Sequence, residues 1–399
     1  MKLHRTLVQA VIDTLQHIFV EGVYADKAVE QVLKQSSRWG SRDRRFIAET
    51  TYGMVRWWRL IGKSAGIENA ETTSQFWALT GVWLIVNEVE LPEWTEFSSV
   101  NKNSVLENYS KAKEVRKYRE SIPDWLDELG SNELGEGVWE NELHELNKEA
   151  QVVLRTNTLK INRVQLHRLL EEDGIETIPV GDYPDALLLS KRQNLQQTNE
   201  YKQGLFEIQD ASSQLIAPFM RLEEGMTVID ACAGAGGKSL HISAMMKNKG
   251  RIISMDVEER KLTELKKRAD RAGVRIIETQ VINSGTVNKL KNTADRLLLD
   301  VPCSGLGVIR RTPDAKWKLS PGFLNEIKNT QKEIIADYSQ MLKPGGIMIY
   351  ATCSILPGEN QDQVNEFLKK NKHFEFIEDR KVLPSEGFDG FYMAALKKI

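Results

Sequence analysis

The chain has 399 residues, 41% hydrophobic and 28% charged, with a formal net charge of -2, which fits two or three folded domains and excludes fibrous, collagen-like and disordered classes. Its longest apolar stretch, around 76–86, is too short to cross a bilayer and the amino terminus lacks the apolar core of a signal peptide, so no membrane partner is expected. Three cysteines, none in a Cys-x-x-Cys pair, give neither a zinc site nor a disulfide framework, which points to a cytoplasmic chain without a metal; nothing demands an obligate partner, so a monomer is expected.

Residues 1–150 read as helices. Leu7, Val11, Leu15, Ile18 and Phe19 recur on one helical face, and Phe46, Ile47, Met54, Val55 and Trp58 do so again. Between Arg38 and Lys63 the cations Arg38, Arg42, Arg44, Arg45, Arg56, Arg59 and Lys63 face only Asp43 and Glu49, with Trp39, Trp57 and Trp58 interleaved. Such a mixture suits a phosphate backbone with stacked bases. On this stretch alone, a bundle whose tryptophans are core and whose arginines are a solvated face suits it better. The acidic run from Pro123 to Glu149 marks a boundary.

Residues 151–220 read as a small α+β module. Val152–Leu154 and Ala186–Leu189 look like strands on either side of a helix near Val164–Leu170, Gly204–Ile208 adds a third, and Asp210 can cap a helix running to Met220. From 221 to 399 strands alternate with helices, at Thr227–Asp230, Arg251–Asp256, Arg275–Ile282, Arg296–Val301 and Gly346–Thr352. That alternation predicts an α/β, doubly wound, Rossmann-like parallel sheet.

The first of these strands runs into Asp230-Ala231-Cys232-Ala233-Gly234-Ala235-Gly236-Gly237-Lys238-Ser239. Small residues let a ligand approach the backbone, and the helix that follows offers its amides to a negative group. Gly-Lys-Ser resembles the end of a P-loop, but Cys232 stands where that motif needs glycine, which leaves an ATPase as a weak rival; the dinucleotide fingerprint is not present either. Asp256 ends the second strand, where it can accept from ribose hydroxyls or cap the next helix. Lys238 sits where the helix dipole disfavours a cation. Cys232 reads as a packing residue under a tight loop.

Cys303, in Asp300-Val301-Pro302-Cys303-Ser304-Gly305, and Cys353, in Ala351-Thr352-Cys353-Ser354, each follow a buried strand. If the first, fourth and fifth strands are neighbours, the glycine loop, Asp300 and both thiols converge on one crevice. A thiolate that adds to carbon 6 of cytosine turns carbon 5 into a nucleophile for an activated methyl group. A base must then remove the carbon 5 proton, the second cysteine can assist release, and Asp300 can hydrogen-bond the base edge.

These segments resemble the Sun/NSUN family of RNA cytosine carbon-5 methyltransferases, of the bacterial RsmB and RsmF type. The likeness is carried by Cys232 to Lys238, Leu298 to Gly305, Gly307-Val308-Ile309-Arg310-Arg311 with Pro313-Asp314 and Lys316-Trp317, Ala351 to Ser354, Asp389-Gly390-Phe391-Tyr392 and Gln209-Asp210-Ala211-Ser212-Ser213. The resemblance implies S-adenosylmethionine in the loop formed by Cys232, Ala233, Gly234, Ala235, Gly236, Gly237 and Lys238, its ribose on Asp256, and Asp300 and Lys238 lining the site. It implies Cys353 as nucleophile and Cys303 as the residue that assists release. Asn283 stands where the family usually carries an acid near the adenine, and Ala235 where it usually carries proline. The first 150 residues resemble a NusB-like RNA-binding domain, which makes Arg44, Arg45, Arg56 and Arg59 candidate RNA contacts, joined by Arg310 and Arg311 of the methyltransferase segment. Expected domains are 1–150, 151–220 and 221–399, and the expected substrate is small-subunit ribosomal RNA. Transfer RNA and a non-catalytic assembly factor are the rivals.

Overall fold

A computed structural model describes residues 3–399, which divide into two compact units: those up to 148 with 309–320, and 149–308 with 321–399. The first is helical. Helices Arg5–Phe19, Ser41–Arg56 and Thr73–Val86 bury Leu7, Val11 and Leu15, then Ile47, Met54 and Val55, then Phe76, Leu79 and Val82 in one core. Thr73–Val86 is apolar all round, as a central helix must be, and Thr72 caps it by accepting from the Gln75 amide. Trp58 stacks on Phe19 with ring centroids 3.9 Å apart.

Residues 309–320 depart from the expected domain limits, because they complete this helical unit rather than the last domain. Trp317 packs against the helical core and donates its indole N–H to the Val55 carbonyl at 2.7 Å. Asp314 accepts from the Ala25 amide at 3.0 Å, which satisfies a donor in the first turn of helix Ala25–Lys34. Lys316 is fully buried against Asn147, and burial drives its amine well below its ordinary pKa.

The second unit holds two sheets. Strands β1 (Val153–Thr156), β2 (Thr177–Pro179), β3 (Ala186–Leu189) and β4 (Phe206–Ile208) form an antiparallel sheet in the order β2-β3-β1-β4. Helix Arg163–Glu172 packs Leu166 and Leu170 against it. Strands β5 (Thr227–Asp230), β6 (Arg251–Asp256), β7 (Ile277–Val281), β8 (Ala294–Asp300), β9 (Leu342–Thr352), β10 (Phe374–Val382) and β11 (Phe391–Lys398) form the larger sheet. Its order is β10-β11-β9-β8-β5-β6-β7, with β5 to β9 parallel and the last two strands antiparallel. This is the expected α/β, Rossmann-like class, with a mixed sheet where a parallel one was expected. Val153, Ala186 and Ala211 share a core with Val228, Ile252 and Ile349, so the module and the large sheet pack as one body.

The strand order reverses at β5, which has β8 on one side and β6 on the other. Sheets of this kind bind ligands in the crevice beyond the carboxyl ends of the strands at such a reversal, which is where the loops after β5, β8 and β9 stand.

Candidate active site

Three loops close over this crevice because their backbones interlock. The Gly307 amide donates to the Cys353 carbonyl at 2.9 Å, and the Gly390 amide donates to the Gly307 carbonyl at 2.8 Å. A Cβ at Gly307 would lie 2.2 Å from the Gly390 oxygen and 2.7 Å from the Cys353 oxygen, so only glycine lets the three segments meet. Cys303 and Cys353, both partly exposed, thereby face each other with sulfurs 3.2 Å apart. Contact with Cys353, then burial, holds the Cys303 pKa well above its ordinary value.

Lys238, on the first turn of helix Gly237–Met245, donates to Asp300 at 2.6 Å. Burial alone would lower its pKa, but Asp300, through charge and hydrogen bond, and then Cys353 and Asp230 outweigh burial and keep the ammonium charged. That pairing answers why a cation tolerates a helix amino terminus, and it commits the lysine to a carboxylate beside the thiols rather than to a phosphate.

In the glycine loop, Gly234 donates to Asp256 Oδ2 at 2.9 Å and has open space where a Cβ would project. Asp256 Oδ1 accepts from the Glu258 amide at 2.9 Å, so the carboxylate closes the turn before the helix Glu259–Ala272 and braces the loop at once. Each of its oxygens keeps a second lone pair for a ligand hydroxyl. Cys232 is driven well above its ordinary pKa by burial, as a packing thiol is. Asp230 is fully buried; Oδ2 accepts from Ser239 at 2.6 Å, and Oδ1 has no hydrogen-bond partner among the described residues. Burial, with Asp300 adding and Ser239 and Lys238 opposing, raises its pKa to about 6. Among the described residues no group of side chains suited to a metal ion is present.

The module reaches into this loop. Arg268 donates to the Ala235 carbonyl at 2.7 Å and to Glu207 of β4 at 2.9 Å. Arg155 of β1, fully buried, donates to the Gly237 carbonyl at 2.6 Å and also to Gln209. Burial lowers the Arg155 pKa to about 10, against the pull of Glu207, which leaves it cationic at neutral pH.

Asn283 is exposed, and its side-chain oxygen accepts from the Gly285 amide at 3.1 Å and from the Thr286 hydroxyl, forming the turn into a short helix. In the helical unit, Arg44 and Arg45 are exposed; Arg44 donates to the Trp39 carbonyl and Arg45 lies 3.9 Å from Glu49. Arg56 instead donates to the Arg310 and Leu146 carbonyls, and Arg59 to the Ile122 carbonyl with Asp124 at 2.5 Å. Arg310 is buried and Arg311 partly so.

Sequence reasoning missed Glu359, which is fully buried between the two cysteine turns. It also passed over Asp230 as a site residue, together with Arg155, Glu207 and Arg268. The acidic end of an apolar strand at Asp230 was a signal; the arginines carried none, because their contacts join segments far apart in the chain.

A family model described as 16S rRNA methyltransferase RsmB/F matches residues 217–397, and one for the ferredoxin-like domain of RsmF/B-like methyltransferases matches 122–196. A Synechocystis protein described as a probable ribosomal RNA small subunit methyltransferase B is 29% identical over 94% of this chain and 95% of its own length. A Vibrio cholerae ribosomal RNA small subunit methyltransferase B is 33% identical over 74% of this chain and 71% of its own. The crystal structure of a methyltransferase homologue from Pyrococcus horikoshii, 25% identical, superposes with a TM-score of 0.63 over 71% of this chain and 98% of that one.

Proposed function

Because the chain belongs to the RsmB/F family, and is thereby an S-adenosylmethionine-dependent RNA methyltransferase, we propose that it methylates carbon 5 of a cytosine in small-subunit ribosomal RNA through a covalent Cys353 adduct. The observation that carries this reading is the pair of sulfurs 3.2 Å apart at the ends of β8 and β9, beside the Lys238–Asp300 pair. The names of the relatives support the ribosomal substrate.

The residues fit the cofactor. Gly234 leaves an open cradle, Asp256 can take the ribose hydroxyls, and Asp300 is partly exposed at the end of β8. When bound, S-adenosylmethionine supplies an electrophilic methyl group. Loop 232–237, Lys238, Asp256 and Asp300 would hold it, with Asn283 at the adenine side.

The Cys353 thiolate donates a lone pair to carbon 6 of the cytosine, and the carbon 5–carbon 6 π electrons move to carbon 5, which would take the methyl group as its bond to the cofactor sulfur breaks and a neutral thioether is left. Asp300, positioned by Lys238, hydrogen-bonds the base edge and steadies the adduct. The interaction with Cys353 is the leading cause that holds the Cys303 proton at rest. Once Cys353 is a neutral thioether that contribution is gone, and Cys303 can pass its proton to solvent and stand as a thiolate beside the ring. Its thiolate then takes the carbon 5 proton, the carbon–hydrogen bonding pair restores the double bond, and Cys353 leaves with the electrons of the carbon–sulfur bond.

The exposed guanidiniums of Arg44 and Arg45 are the proposed phosphate contacts of the helical unit; the internal bonds of Arg56 and Arg59 leave them less to offer a backbone. Bisulfite sequencing of RNA from cells with and without the gene tests the substrate: one protected small-subunit cytosine lost with the gene supports the reading. Loss of protection only in transfer RNA would replace the substrate, and loss nowhere would refute the reading.

A further inference from the structure

The loops that carry the two thiols are held by a carboxylate that the cysteine chemistry does not itself call for. Glu359 is completely buried, and among the described residues it makes no ion pair. Its Oε1 accepts from the Ser304 amide at 2.7 Å and from Gln331 Nε2 at 3.1 Å; its Oε2 accepts from both the Ser304 and Ser354 hydroxyls. Ser304 follows Cys303 and Ser354 follows Cys353, so each of the turns bearing a thiol is tied to the same acid one residue after its sulfur.

The rest of the loop is built to hold Glu359 in place. The Tyr350 hydroxyl donates to the Glu359 carbonyl at 2.7 Å, Thr352 donates to Asn360 Oδ1, and Asn360 Nδ2 donates back to the Ser354 carbonyl at 2.9 Å. Gln331, from the long helix Pro321–Tyr338, bridges Glu359 to the Pro302 carbonyl at 2.9 Å. A buried carboxylate is costly unless several donors meet it. Here four donors do, and three of them belong to Ser304 and Ser354, the residues next to the reacting sulfurs.

We propose that Glu359 is a positioning residue for the thiol pair: by accepting from Ser304 and Ser354 together it fixes the separation of Cys303 and Cys353 that adduct formation and release require. The proposal rests on the cysteine reading above. A glutamine at this position keeps the shape but replaces the charged acceptor Oε2 with an NH2 group, so the Ser304 and Ser354 hydroxyls lose the charge-assisted bonds that tie both turns to one acceptor. Reacting groups displaced by about 1 Å can lose about 100-fold in rate.

The direct test needs no RNA. Diamide oxidises two neighbouring thiols to a disulfide, taking both protons and both electrons and becoming its hydrazide, so the rate of Cys303–Cys353 linkage, read by peptide mass spectrometry on the full chain, reports the sulfur geometry. In Glu359→Gln this rate falls at least about tenfold, while S-adenosylhomocysteine affinity stays within about twofold because that ligand's loop is untouched. Methylation of a 16S transcript shows the same split, with kcat reduced and KM for S-adenosylmethionine unchanged. An unchanged linkage rate in a folded Glu359→Gln protein overturns the proposal, as does a loss of kcat that tracks cofactor affinity. Should Glu359→Gln fail to melt cooperatively, Ser354→Ala, which removes one donor and leaves the acid its other three, gives the same reading at smaller amplitude, and an unchanged linkage rate there overturns it equally. Failure of the covalent reading shows separately, as no RNA adduct in the otherwise unaltered enzyme's Cys303→Ala variant.

Discussion

Arg268→Met isolates the grip of the α+β module on the cofactor loop. The arginine donates to the Ala235 carbonyl at 2.7 Å and pairs with Glu207, which also meets Arg271. Methionine keeps the apolar stem, and Arg271 still neutralises Glu207, so no carboxylate is stranded. What is lost is chiefly the charge-assisted hydrogen bond to the loop, of order 1.5–3 kcal/mol. If the loop must be held in this form to bind cofactor, that loss appears as an S-adenosylhomocysteine Kd raised by about 10- to 150-fold. Isothermal titration at fixed ionic strength measures it. A folded Arg268→Met protein whose Kd lies within about twofold of the parent's would show that the module does not shape the loop, since the expected loss is well above the scatter between distant, independent sites.

Other substitutions probe other parts. Gly236 has φ +85 and a Cβ there would sit 2.4 Å from Leu265 Cγ, so Gly236→Ala should cost about 2–5 kcal/mol in urea unfolding, from left-handed strain and overpacking; a cost under about 0.5 kcal/mol would mean the loop can shift freely. His241 is buried, and burial lowers its pKa from 6.5 to about 4, so the unfolded chain binds the proton first and stability is lost as pH falls from 6.5 toward 4. Asp230, with its raised pKa, works in the opposite sense over the same range, but it is present in both proteins of the comparison. His241→Gln should therefore remove about 2 kcal/mol of the stability change between pH 7 and pH 5, read as a smaller acid shift in Tm than the parent's; equal shifts would refute it. Arg44→Glu with Arg45→Glu should flatten the slope of log affinity for RNA against log salt by about one unit per phosphate contact removed, and an unchanged slope would return this face to ordinary solvation.

The sequence carried the large sheet because its strands are continuous apolar runs that end in Asp230, Asp256 and Asp300, and those ends mark the crevice. Strands β10 and β11 escaped notice because β10 is an edge strand rich in charge, Glu375, Glu378, Asp379, Arg380 and Lys381, which masks a strand pattern while protecting the edge. Residues 309–320 looked like part of the last domain because they follow Cys303 in the chain, but Trp317 and Asp314 find their partners in Val55 and Ala25, some 260 to 290 positions earlier. Cys303 and Cys353 were legible from their strand-end contexts. Glu359 was not, since its meaning lies in meeting Ser304 and Ser354 together, a convergence no local pattern carries.

The central claim is that Cys353 attacks and Cys303 releases. Incubating each single Cys→Ala variant with a 16S transcript and S-adenosylmethionine, followed by denaturing electrophoresis, tests it directly. Cys303→Ala should accumulate a covalent protein–RNA species, because the carbon 5 proton has lost its acceptor, and Cys353→Ala should form none. An adduct in Cys353→Ala and none in Cys303→Ala would reverse the two roles and contradict the proposed mechanism.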